Sequence, residues 1–175
     1  MSDLKSAVFK IHIEAPIQRV WEALTREKEV LPHFYNSVMH TPALAAGSPL
    51  RMRSLDEKFT AVVGDILEVE APRRFVHTMM FTQLEDAPSK VTYELTEKDG
   101  GTELIMLLDD VPAGSKSEGY MMSGGPFITE TLKGVIENGR PPLKHRMFLG
   151  MIGLFGFMTP KVCRTENWSF DRKIS

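Results

Sequence analysis

The chain has a single cysteine, Cys163, so it can form no internal disulfide and has no second thiolate for a metal site. Charge of one sign is missing too. Against 21 Lys and Arg stand 23 Asp and Glu, a net charge of -2, which gives no general pull toward DNA or RNA and no expectation of a nucleic-acid partner. No apolar run reaches the roughly 20 residues of a membrane span. The opening residues, "MSDLKSAVFK", lack the apolar stretch and small-residue cleavage site of a signal peptide, so a cytoplasmic location is expected. Motifs of nucleophilic and phosphate chemistry are also absent: there is no G-x-S-x-G, no Walker A loop and no glycine-rich dinucleotide fingerprint. His12, His33, His40 and His145 show no metal-ligand spacing and no H-E-x-x-H arrangement, so neither a metal nor a cofactor is expected. "SGG" at 123 to 125 precedes a helix but lacks the lysine and spacing of a phosphate loop.

What is there is an ordinary globular composition, 42% hydrophobic and 25% charged, in a length that suits one well-buried core with an appendage. Two counts stand out, 11 Met and 13 Gly. Methionine is unbranched and polarizable and fills irregular space, which suits a cavity and an untidy core equally. "AVFKIHIEA" alternates Phe9, Ile11 and Ile13 with Val8, Lys10, His12 and Glu14, the period of a half-buried strand. Ile17, Val20, Trp21 and Leu24 then fall on one stripe of a helix entered through Pro16. Pro32 is expected to end a second short helical turn, and "NSVMHTPALAAGSP" to be loop.

From Leu50 onward the pattern is strands bounded by turns: "PLRMRS", "KFTAVVGDILEVEA", "RRFVHTMMFTQ", "SKVTYELTE" and "GTELIMLLDDV". Their short connections, "APRR", "EDAPS" and "KDGG", favour an antiparallel meander. Alternation places Phe75, His77, Met79 and Phe81 on one face with Val91, Tyr93 and Leu95, and with Leu104, Met106 and Leu108. The pattern slips around Gly64, Asp65 and Ile66, where a bulge or bend is expected and the face of Asp65 stays open.

The last helix is read from Ser115 and Glu118, spaced as a capping box, through Ile128, Leu132, Val135 and Ile136, to a stop at Asn138 and Gly139. Glu130, Lys133 and Glu137 take its outer face. Pro126 removes a backbone donor and crowds the preceding turn, so a kink or break is expected near Gly124 to Pro126. The glycines there have two readings that are compatible. They allow close backbone approach to a sheet, or they leave a void beside Met121 and Met122 that opens onto a cavity.

Four stretches carry a resemblance in the correct order: "IEAPIQRVWEALT", "GDILEVEAPRRFVHT", "YELTEKDGGTELIML" and "GGPFITETLKGVIENG". From about residue 8 to 140 the chain resembles the activator of heat-shock protein 90 ATPase homologue-like family, within the START-related SRPBCC superfamily. The resemblance implies an α+β helix-grip (START-like) fold: a curved antiparallel sheet around a long C-terminal helix, with two small helices after the first strand. It also implies a space between sheet and helix that in the superfamily often holds lipids, sterols, polyketides or other apolar molecules, although function varies widely within it. Phe34 and Tyr35 stand where the family often has consecutive tryptophans. The co-chaperone that names the family carries a separate N-terminal chaperone-stimulating domain; seven residues before the first strand leave no room for one here, so chaperone activation is not expected.

The expected organisation is a START-like domain over 1 to 140 and an apolar extension over 141 to 175 that packs on the domain or on a partner subunit. Within the extension, "MFLGMIGLFGFM" has Lys144, His145, Arg146 and Lys161 around it and Gly150, Gly153 and Gly156 within it for close contact. Membrane attachment is not favoured, because a strongly polar face is missing.

The expected function is binding of an apolar or amphipathic small molecule between sheet and helix, lined by Phe34, Tyr35, His77, Met79, Tyr93, Met106, Met121 and Met122. His77 reads either as a neutral core histidine or as a group that orients a ligand or acts as a base. Tyr35, Tyr93 and Tyr120 read as packing residues or as hydroxyls offered to a pocket. Arg51 and Arg53 read as a solvent face or as carboxylate anchors, with Met52 the better inward residue. Alternatives are a cyclase- or hydrolase-like enzyme using the same cavity, with catalytic residues unassigned, and an interaction module or homodimer built on the methionine-rich tail.

Overall fold

The computed structural model describes residues 3–154 and 156–174. Eight antiparallel strands form one sheet: β1 (Leu4–Ile13), β2 (Val30–Leu31), β3 (Ser37–His40), β4 (Pro49–Arg53), β5 (Thr60–Glu70), β6 (Arg74–Phe81), β7 (Ser89–Lys98) and β8 (Gly101–Pro112). Their order is β1-β8-β7-β6-β5-β4-β3-β2, so the first strand closes onto the last while the rest run as a meander. Between β7 and β8 the turn residues Asp99 and Gly100 both have positive φ, 49° and 78°, matching the twist of the strands they join. Helix α1 (Ile17–Thr25) follows β1 and buries Val20, Trp21 and Leu24.

The expected meander strands are all present, and the period-2 face of β6, β7 and β8 is the sheet's inner face, with Phe75, Val91, Tyr93, Leu104 and Leu108 at 1% exposure or less. Register slips between Ile66 and Glu68, close to the expected bulge. Gly64 is required there: a Cβ would overlap the Thr78 carbonyl on the neighbouring strand. The loop expected over "NSVMHTPALAAGSP" is overturned in part, because Ser37–His40 pairs with both β2 and β4. Strands of two and four residues are too short to establish a period. The second small helix is a single 3-10 turn, Pro32–Phe34, which Pro32 opens rather than ends.

Helix α2 (Lys116–Asn138) is gripped by this sheet. Ser115 accepts a hydrogen bond from the Glu118 N–H at 3.0 Å, and the Glu118 carboxylate accepts from the Gly114 N–H at 2.6 Å. At the far end Gly139 takes the left-handed conformation, φ 70°. The helix continues through Pro126, so the expected break is absent. Gly125 explains the local composition: a Cβ there would enter the ring of Phe9, so the missing side chain lets β1 and α2 close on each other. Leu132 and Ile136 are buried as expected; each such side chain contributes roughly 1.5–3 kcal/mol.

Phe127, Thr131 and Gly134 are buried too, although they lie off that stripe. The chain after α2 covers them. Helix α3 (Leu143–Leu154) places His145 Nδ1 2.7 Å from Thr131 Oγ1, and Phe148 packs edge-on against Phe127 at 5.7 Å. Beyond it the chain runs across to β4, where Arg51 is fully buried.

Candidate functional site: an apolar cavity under the C-terminal segment

Between the sheet's inner face, α2 and α3 lies a cavity of about 1170 Å³. Its floor comes from alternate residues of adjacent strands: Phe75, His77, Met79 and Phe81 of β6, Tyr93 of β7, Met106 and Leu108 of β8. Met52 of β4 joins them. Met121, Gly124, Gly125 and Ile128 of α2 form one wall, and Phe148, Ile152 and Gly153 of α3 close over another side. Exposed Leu55, Asp56, Lys58, Tyr120 and Phe157 mark the mouth.

Of the residues expected to line it, Phe34, Tyr35, His77, Met79, Tyr93, Met106 and Met121 border the cavity. Met122 does not; it packs half-buried against the core. The reason is helical geometry, since successive residues on a helix point about 100° apart and only one of two adjacent methionines can face the same space. The first reading of the glycine pair holds and the second holds beside Met121 alone, because Gly125 receives the Phe9 ring and Gly124 borders the cavity 3.3 Å (Cβ position) from the Tyr35 hydroxyl.

Tyr35 is held in an unusual way. It has φ 57° and its ring stacks on Phe127 at 4.4 Å with the planes 9° apart. Left-handed backbone is uncommon outside glycine, and here the stacking holds the ring against α2. Burial raises its pKa.

Three rings cluster on the floor. Phe75 and Tyr93 are nearly parallel, 15° apart at 6.2 Å, and His77 lies 6.0 Å from Tyr93. His77 Nδ1 lies 2.8 Å from the Thr78 carbonyl oxygen, which only accepts, so Nδ1 carries the proton and Nε2 is the free acceptor. Burial pulls the His77 pKa down to about 4, with the Thr78 contact opposing it, so the ring is neutral near pH 7. The Tyr93 hydroxyl has no hydrogen-bond partner among the described residues, and burial raises its pKa. Among the described residues the charged side chains bordering the cavity are Asp56 and Lys58, both exposed and 3.3 Å apart.

Arg51 is not in the cavity. It faces the opposite side of β4, where its guanidinium donates to the carbonyls of Gly64, Trp168, Ser169 and Arg172 at 2.9–3.3 Å and to that of Leu50. Neither expected role applies, since it is buried without touching a ligand space. Arg53 stacks against the Phe170 ring at 5.0 Å. The only sequence signal for this was a charged pair on a strand, which does not say what covers it. Asp65 lies outside the cavity lining and raises the Arg51 pKa that burial lowers.

The segment over the mouth is apolar on both sides. While Leu149 is buried, Met147, Met151, Leu154 and Met158 are exposed by half or more. Among the described residues the expected close contacts at Gly150, Gly153 and Gly156 do not form, as a Cβ at any of them would meet nothing within 4 Å there. Phe155 lies outside the described residues. Among the described residues no helix is long and apolar enough to cross a membrane, and no group of three or more His, Cys, Asp or Glu is placed to hold a metal ion.

A family model, Activator of Hsp90 ATPase homolog 1-like protein, matches residues 14–137. The chain belongs to that family. The Hsp90-activator homologue family has the helix-grip fold seen here, and solved structures agree. DynU16, described as from the dynemicin biosynthetic locus, aligns at TM-score 0.62 and 22% identity over 78% of this chain and 48% of that one, so the chain spans about half of DynU16. PFC0360w, an HSP90 activator from Plasmodium falciparum, aligns at 0.59 and 18% identity over 78% and 97%. The Aha1 dimer from Colwellia psychrerythraea aligns at 0.63 and 12% identity over 77% and 98%. A search of curated proteins returns no match. At these identities the likeness is one of fold.

Proposed function

We propose that the protein binds an apolar or amphipathic small molecule in the cavity between sheet and α2. The observation that carries this reading is the cavity itself: about 1170 Å³, floored by methionine and aromatic side chains, with His77 and Tyr93 as isolated polar groups on the floor. A protein interior is normally packed to crystal-like density, so a space of this size supports a role in binding rather than packing. Removal of apolar surface from water drives the association. The kinship with a protein of a natural-product biosynthetic locus is consistent with a small-molecule ligand. A cyclase- or hydrolase-like use of the same space has less behind it, because the carboxylate that borders the cavity, Asp56, is exposed and engaged by Ser54 and Lys58.

Native mass spectrometry of freshly purified protein, followed by titration with 1-methylpyrene, tests the reading. Uptake is expected at one site, and the cavity-filling Met106→Trp is expected to lower affinity at least about tenfold, since a displaced ring loses more than about 1.4 kcal/mol of burial. A stoichiometric site unaffected by Met106→Trp, or no uptake at all, would overturn it.

A further inference from the structure

We propose that the cavity selects uncharged ligands that carry a hydroxyl at the buried end, and discriminates against carboxylates. This rests on the ligand-binding reading above. His77 and Tyr93 are 6% and 1% exposed, sit on adjacent strands with ring centroids 6.0 Å apart, and both border the cavity floor. Their hydrogen-bonding capacities are unlike. With Nδ1 committed to the Thr78 carbonyl, His77 presents Nε2 as an acceptor, while the Tyr93 O–H is a donor with no partner among the described residues.

A hydroxyl complements both, donating to Nε2 and accepting from Tyr93. A ketone or ether oxygen satisfies only Tyr93, leaving Nε2 unpaired. A carboxylate sets its lone pairs against Nε2 and brings a full charge to a floor where, among the described residues, no cation borders the space; Lys58 is at the exposed mouth beside Asp56, and Arg51 is turned to the other face of β4. A buried charge without a partner is far costlier than a neutral group that meets two.

The test uses three fluorescent compounds with one aromatic body: 1-pyrenemethanol, 1-methylpyrene and 1-pyrenecarboxylate, titrated at pH 7.5 (~, chosen above the histidine range) into the full chain and its variants. For wild type, the alcohol is expected to bind at least about thirtyfold more tightly than the carboxylate. Tyr93→Phe and His77→Phe are each expected to weaken the alcohol about tenfold and to leave 1-methylpyrene within about twofold; His77→Gln, which restores an acceptor, is expected to recover part of the loss. Circular dichroism and melting confirm that each variant is folded, and Tyr93→Phe, an isosteric change, stands alone if His77→Phe does not fold. Equal binding of alcohol and carboxylate, or an alcohol affinity indifferent to Tyr93→Phe while 1-methylpyrene still binds, overturns the selectivity and leaves the cavity reading standing. Failure of all three compounds to bind wild type overturns both.

Discussion

At the residue scale, two buried histidines tie stability to pH. His33 is 2% exposed on the 3-10 turn, and among the described residues neither ring nitrogen has a hydrogen-bond partner; burial holds its pKa near 3 against an ordinary 6.5, with the Leu24 backbone nearby opposing the drop and Arg26 adding to it. His77 is held near 4 by the same desolvation. Both pKa values are lowered on folding, so the unfolded chain binds protons first as pH falls. Their contribution is therefore complete above about pH 7 and is lost between about 6.5 and the folded values. At pH 5 each histidine costs about 2 kcal/mol. Urea denaturation from pH 7.5 to 4.5 (~, spanning the imidazole range) is expected to show stability falling with pH, and His33→Phe to flatten that slope whatever its effect at neutral pH. A slope unchanged in the variant would show that His33 is not buried neutral.

At the scale of elements, much of the architecture was readable because period is a property of the backbone. Strands β6 to β8 alternate with one face inward, and the alternation picked out Phe75, His77, Tyr93 and Met106 as neighbours. Helix α2 was only half readable. Its apolar stripe at Leu132 and Ile136 faces the sheet, but Phe127, Thr131 and Gly134 are buried by α3, and covering a helix on two sides blurs the stripe that sequence reading depends on. The same double support explains why Pro126 does not end the helix: the helix loses one internal hydrogen bond while packing continues on both faces. Gly125 is the tightest point of that packing. Gly125→Val is expected to destabilise by about 1–3 kcal/mol through collision with Phe9, and Phe9→Ala in the same chain to recover part of the loss. Additive losses in the double variant, measured by chemical denaturation, would mean the two residues do not touch.

For the molecule as a whole, the segment after α2 is fastened at two places. One fastening is the Thr131–His145 pair with Phe127 and Phe148; the other is Arg51 beneath Trp168, Ser169 and Arg172. Further contacts add to the second: Thr165 N–H donates to the Lys58 carbonyl at 2.9 Å, and Trp168 Nε1–H to the Val162 carbonyl at 2.7 Å. Nothing in the sequence around Arg51 announced this, because the Trp168, Ser169 and Arg172 carbonyls it meets are more than a hundred positions away. Hydrogen bonds from a charged donor contribute roughly 1.5–3 kcal/mol each when buried, so Arg51→Met is expected to cost about 3 kcal/mol or more. Limited proteolysis should then cut about the last fifteen residues, the stretch Arg51 anchors, well before the sheet is attacked. Resistance equal to wild type would mean that the tail is held by other means.

The position of His77 and Tyr93 on the floor, with the mouth marked by exposed Leu55, Tyr120 and Phe157, gives the proposed ligand a direction of travel. On the proposed reading, a guest enters polar end first and its apolar end trails toward the mouth. Chemical handles are thus tolerated on that trailing end and not on the leading one, so an affinity resin coupled through the trailing end would retain the protein, and the same compound coupled through its hydroxyl would let it pass.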